Sequence, residues 1–162
     1  MGSETPSDGL TRPPDERDLV FLTRELNRLG AKYLVIGGVA MNRLGFVRAT
    51  EDIDLLIARE KWNQQLIKQA MAILPDRAIE ELGDEDISDW VVVRVNDEIT
   101  VDLMSEASGI SYTEAETEIE WVDIQDVRIP FASAALMLRF KQGDRDKDRM
   151  DRAFLENRKK GS

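Results

Sequence analysis

The chain has 162 residues, 42% of them hydrophobic, which suffices for one domain with a core of ordinary size. It contains no cysteine and no histidine, which excludes disulfides, zinc–thiolate and histidine-ligated zinc sites, and any Ser-His-Asp or Cys-His nucleophile within this chain. Its 32 acidic residues outnumber 22 basic ones, and the net charge of -10 argues against broad, nonspecific binding to a nucleic-acid backbone while leaving room for a local basic groove. Any catalysis must then use carboxylates, lysine, arginine, hydroxyls or a bound metal. No apolar run is long enough to cross a bilayer and no signal-peptide pattern is present, so a cytoplasmic location without a membrane partner is expected.

Residues 1–14 are rich in Gly, Ser, Thr, Pro and Asp and are expected to be a disordered tail. A single domain is expected over 15–156. Residues 15–29 read as a helix, with acids in the first turn, Leu19, Leu22, Leu26 and Leu29 on one face, and Gly30 as the stop. Residues 33–36 form a continuous apolar run, as in a strand buried on both faces. Gly37-Gly38 ends it, permits a close backbone approach, and leads into a short helix of small residues. A second strand opens at Asp52. Its alternation puts Ile53, Leu55 and Ile57 on one side and Asp52 and Asp54 on the other. Two adjacent aspartates repel each other, so the pair reads either as a cation site or as solubility residues on an edge strand.

Residues 60–74 read as an amphipathic helix with Trp62, Leu66, Ala70 and Ile73 inward, ended by Pro75. Residues 76–89 are acidic and expected to contain an exposed loop. The β-rich runs 90–95 and 99–104 read as a hairpin across Asn96-Asp97. Within the second run, Asp102 falls on the side opposite Ile99, Val101 and Leu103. Residues 109–120 read as loop or irregular helix, and 121–129 as a strand broken by Pro130. Trp90 and Trp121 are expected to be core or half-buried residues. Ser133 is a plausible N-cap for a helix through Lys141. Gly143-Asp144 interrupts, a last helix runs over 145–156, and 157–162 are expected to fray.

Gly37-Gly38, then Arg48-x-Thr50-x-Asp52-Ile53-Asp54, in strand–turn–helix–loop–strand order, resembles the nucleotidyltransferase superfamily, and more narrowly small bacterial members related to abortive-infection toxins of toxin–antitoxin systems. The resemblance implies an α+β architecture, a small mixed twisted β-sheet flanked by helices, of the DNA polymerase beta-like fold. It implies an enzyme that moves a nucleoside monophosphate from a nucleoside triphosphate, such as ATP, to a protein, RNA or small-molecule acceptor. Asp52, Asp54 and Asp102 would be catalytic and would bind two Mg2+ ions, or Mn2+. Two ions about 3.5–4 Å apart fit between carboxylates roughly 6–7 Å apart on a strand. Gly37 and Gly38 would let backbone amides approach the triphosphate. Arg48 and Thr50 would bind phosphate, or else hydrogen-bond within their loop. Lys141 and Asp148, in a Lys, then Lys-Asp-x-x-Asp segment similar to that of the toxin-like members, would contact the nucleotide, or else lie on a solvated helix face. An antitoxin protein is an implied partner. The rival reading is a non-catalytic nucleotide-binding or interaction module of the same fold.

Overall fold

The computed structural model describes residues 11–160; the expectations of disorder for residues 1–10 and of fraying at 161–162 lie outside the described residues. The elements are α1 (Glu16–Leu29), β1 (Tyr33–Ile36), α2 (Gly37–Arg43), β2 (Asp52–Ile57), α3 (Lys61–Met71), β3 (Val93–Asn96), β4 (Thr100–Met104), β5 (Glu106–Ala107), β6 (Ile110–Ser111), α4 (Tyr112–Ala115), β7 (Ile119–Ile124), β8 (Val127–Ala132), α5 (Ala134–Phe140) and α6 (Asp146–Lys160). The architecture is α+β. A mixed six-stranded sheet has the order β3-β4-β2-β1-β8-β7, and β5-β6 form a small separate hairpin. The β2–β4 and β1–β8 pairs are parallel and the other three are antiparallel.

Helix α1 starts at an Asp15–Asp18 capping box, which satisfies N–H groups that the first turn leaves free. Its Leu19, Leu22 and Leu26 are buried, and the helix packs on α3 and β8. Strand β1 is apolar throughout because it is central and covered on both faces. Strand β2 lies between β4 and β1, so Asp52 and Asp54 are not edge-strand solubility residues.

Helix α3 is rotated from its expected face. Asn63, Gln64, Ile67, Ala70 and Met71 are buried, whereas Trp62 is about half exposed with Lys32 over its ring. The reason is hydrogen bonding. The Asn63 amide donates to the Lys32 and Ala58 carbonyls and accepts from Lys32 N, and Gln64 donates to the Arg59 carbonyl and accepts from Ile87 N. Two polar side chains thus occupy core positions because they satisfy loop backbone there.

Pro130 does not break a strand; it lies inside β8 opposite Trp121. Residues 121–129 belong to two strands joined by Gln125-Asp126, both with positive φ as in a type I′ turn. Antiparallel pairs alternate between hydrogen-bonded and open, and the pair next to the turn is bonded, so Trp121–Pro130 falls at an open position. The missing proline N–H leaves no gap in that ladder. Trp121 and Trp90 are each about half exposed, and Val91 and Val92 are also exposed ahead of β3. The stretch 109–120 contains β6, α4 and a 3-10 turn. At the chain ends, Arg12 bonds Asp18 and Glu98, and α6 continues through the stretch expected to fray as far as Lys160.

Candidate active site

The parallel register of β2 and β4 places Asp54 beside Asp102 and Asp52 beside Thr100. With period-two alternation, all three carboxylates then emerge on one face at one end of the sheet. One oxygen from each lies within 4.8 Å of one from each of the other two. Asp102 is buried, and Asp52 and Asp54 are partly so. The turn from β1 into α2 closes one side of the group. Gly37 has φ +70°, and a Cβ there would sit 2.8 Å from the Asp54 carboxyl carbon and closer still to its Oδ2. A Cβ on Gly38 would lie 2.7 Å from the Thr50 methyl. The glycine pair therefore lets the aspartate strand and the preceding loop lie directly against the turn.

Asp54 carries the strongest electrostatic perturbation of the group. Burial, then the charges of Asp52 and Asp102, push its carboxyl up to about 8. Its Oδ1 is buried without a hydrogen-bond partner; among the described residues only Arg43 Nε shares that condition. An unpartnered buried oxygen among three carboxylates suits a hard, oxygen-seeking divalent cation, and Asp52, Asp54 and Asp102 are the residues that fit one. Arg94, on β3 opposite Asp102, reaches into the same group. Its Nε and Nη2 each donate to Asp102 at 2.9 Å, and Nη2 also donates to Asp52 Oδ2 at 3.1 Å.

A cleft of about 570 Å³ opens over the carboxylates. Gly37, Gly38, Arg48, Thr50, Asp52, Asp54, Asp102 and Lys141 all line it, together with Arg94, Arg145 and Lys147. Of the residues singled out from sequence, Asp148 alone does not line the cleft. It lies behind the wall, with Arg145 donating to it at 3.0 and 3.1 Å and Lys141 Nζ ion-paired with it at 3.9 Å. Those Arg145 hydrogen bonds hold the Asp148 carboxyl below the usual carboxylate range. Neither Lys141 nor Asp148 is on a solvated face: they are 8% and 4% exposed. Arg48 is pinned from behind by the fully buried Asp151, which also pairs with Lys141 Nζ at 3.1 Å. Its backbone N–H donates to Asn42 Oδ1. The loop-bonding role is thus present, while the side chain still borders the cleft.

Arg94 was not singled out from sequence, and Arg145 and Lys147 belonged only to the segment around Asp148, with no role assigned to them. Arg94 could have been found from the hairpin, since alternation in β3 puts Arg94 and Asn96 on the face that carries Asp102. The positions of Arg145 and Lys147 follow from how α6 docks, which local pattern does not encode.

No protein-family model matches this sequence, and no curated protein matches it. Solved structures do. A proposed nucleotidyltransferase from Thermotoga maritima superposes with a TM-score of 0.56 at 15% identity, over 87% of this chain and 92% of that one. An antigenic nucleotidyltransferase-like protein from Paracoccidioides brasiliensis superposes with a TM-score of 0.51 at 20% identity, over 89% of this chain and 77% of that one. The chain shares the fold of these two structures, as the resemblance of residues 33–58 implied.

Proposed function

We propose that the chain is a metal-dependent nucleotidyltransferase that moves a nucleoside monophosphate from a nucleoside triphosphate to a hydroxyl on a protein, RNA or small-molecule acceptor. One observation carries the reading: three carboxylates from adjacent parallel strands converge against a glycine turn, with the buried Asp54 Oδ1 left unpartnered.

A divalent cation, magnesium or manganese, would be held by Asp52, Asp54 and Asp102 and would neutralise charge developing on the phosphate oxygens. The protein's own residues supply position and countercharge. Gly37 and Gly38 keep the turn free of side chain, so the phosphates can approach its backbone. Lys141, Arg145 and Lys147 face the negative charge of the triphosphate and of departing pyrophosphate. Thr50 and Arg48 border the same space, and Arg48 fixes the loop that leads into the aspartate strand β2. Asp102 would take the proton of the acceptor hydroxyl. The new bond joins the acceptor oxygen to the α-phosphorus; the bond that breaks links the α- and β-phosphates. A toxin of a toxin–antitoxin pair acting in the cytoplasm is one setting for such an enzyme.

Arg94 favours a second reading. Its bonds to Asp52 and Asp102 are those a permanent structural ion pair would make, as in a non-catalytic module of this fold. Calorimetric titration of ATP, GTP, CTP and UTP with and without magnesium separates the possibilities. The enzyme binds at least one nucleotide only with metal, and Asp54→Ala weakens that binding. Labelled α-phosphate then passes to a fraction of cell extract, and Asp102→Ala retains binding but loses transfer. Absence of metal-dependent binding for all four nucleotides overturns the proposal; binding without transfer to any fraction supports the module.

A further inference from the structure

Arg94 completes the acid cluster from a strand that carries none of the cluster's aspartates. Strand β3 is one edge of the sheet, and its register sets Arg94 directly opposite Asp102. The guanidinium spans both oxygens of Asp102 and one of Asp52, in the fork geometry that suits carboxylates. One positive charge thus serves two acids where a divalent cation would serve all three, and Asp54 Oδ1 is the oxygen it does not reach. A guanidinium bonded to these oxygens and a cation on the same oxygens repel each other and compete for the same lone pairs. The Arg94 side chain is 57% exposed, so it can turn into solvent without disturbing the core.

We propose that Arg94 is a tethered counter-cation. It holds Asp52 and Asp102 in the metal-free protein, leaves them when a divalent cation enters, and thereby sets the affinity of the site for that cation. The inference rests on the metal-dependent reading above. It has a direct consequence for loading. A bare cation must compete with Arg94, whereas a cation arriving with a nucleotide brings phosphate oxygens that offer the displaced guanidinium new acceptors. Loading by metal alone is therefore weak.

The test is titration of the full chain with Mn2+ alone, without nucleotide and at fixed ionic strength, followed by electron paramagnetic resonance of the free ion. Arg94→Gln is expected to bind Mn2+ about 10-fold more tightly than the unaltered protein, which corresponds to about 1.4 kcal/mol. Arg94→Lys keeps a single point charge without the fork, and should fall between them. Asp54→Asn should abolish binding in either background. Equal or weaker binding by Arg94→Gln, with binding still dependent on Asp54, overturns the counter-cation and leaves the metal site standing. Failure of every variant and the unaltered protein to bind Mn2+, or binding indifferent to Asp54→Asn, overturns the metal reading and this inference with it. Melting in chelator shows whether each variant is folded. If Arg94→Gln is not, Arg94→Lys decides: binding tightened about threefold supports the proposal, and unchanged binding refutes it.

Discussion

Asp54 shows what the site costs the fold. Its carboxyl is pushed up to about 8 by burial first and by Asp52 and Asp102 second. In an unfolded chain an aspartate titrates near about 3.9. Between those two values the native state keeps a proton that the unfolded state has released. The unfolded state therefore binds fewer protons, and stability falls as pH rises from about 4 to about 8, then levels off. Asparagine at this position cannot ionise and removes that slope. In chelator, Asp54→Asn should gain on the unaltered protein as pH rises, by at most about 5 kcal/mol at pH 8. Even a gain of about 2 kcal/mol would raise the melting temperature of a chain of this size by about 4–8 °C. Thermal melts at pH 5 and pH 8 check this; a difference between the two proteins that does not change with pH would refute it. A stabilising change that destroys the proposed metal site is the pattern expected where function, not packing, keeps a buried acid.

At the scale of elements, α6 is fastened to the loop before β2 by charge. Asp151 is fully buried and faces both Arg48 and Lys141, and Phe154 stacks on Phe46 beside them at 4.8 Å between ring centroids. Removing one member of a buried ion pair costs about 3–5 kcal/mol because the other is left uncompensated. Arg48 is partly exposed and recovers some solvation, so Asp151→Ala should cost about 2–3 kcal/mol and lower the melting temperature by about 6–10 °C. The double change Arg48→Met with Asp151→Leu should lose less than the two single changes added, since the charges share one interaction. Additive losses would show that the tether contributes nothing specific. This tether also marks where sequence reading stopped. The β1–α2–β2 unit was legible because its strand alternation, glycine pair and acids lie within residues 33–58, and Asp102 because strand period alone sets its face. Arg94 was missed although alternation in β3 gives its face, because only the register across the β3–β4 connection sets it directly opposite Asp102. For Lys141 and Asp148 the sequence left nucleotide contacts and a solvated helix face both open, because charge normally lies outside and only the docking of α6 buries them together with Asp151. Asn63 and Gln64 misled for the related reason that their partners are backbone groups of distant loops.

Over the whole molecule, the net charge of -10 and the composition of the cleft pull in opposite directions. Arg48, Arg94, Lys141, Arg145 and Lys147 border one cleft, yet Asp148 and Asp151 pair with three of them from behind, and Asp52 and Asp102 hold a fourth. Little positive potential escapes to steer a long polyanion. Among the described residues no helix is long and apolar enough to cross a membrane either. A compact triphosphate accompanied by a divalent cation can enter such a cleft, because the cation supplies the missing charge within the site. A duplex backbone needs a row of uncompensated cations along an extended surface. Basic proteins bind nonspecific DNA with dissociation constants of about 10⁻⁴–10⁻⁶ M, and that affinity falls steeply with salt. A labelled duplex of about 20 base pairs should therefore give no anisotropy change with this protein at about 10 μM and about 50 mM salt. Under the proposed function, magnesium-dependent nucleotide binding should weaken less than tenfold when salt is raised to about 200 mM, because close contacts to partly buried groups are screened less than exposed ones. Duplex binding at low salt would refute this balance of charge. Its absence, with nucleotide binding intact, directs the search for the acceptor to a protein side chain or a small molecule before an RNA.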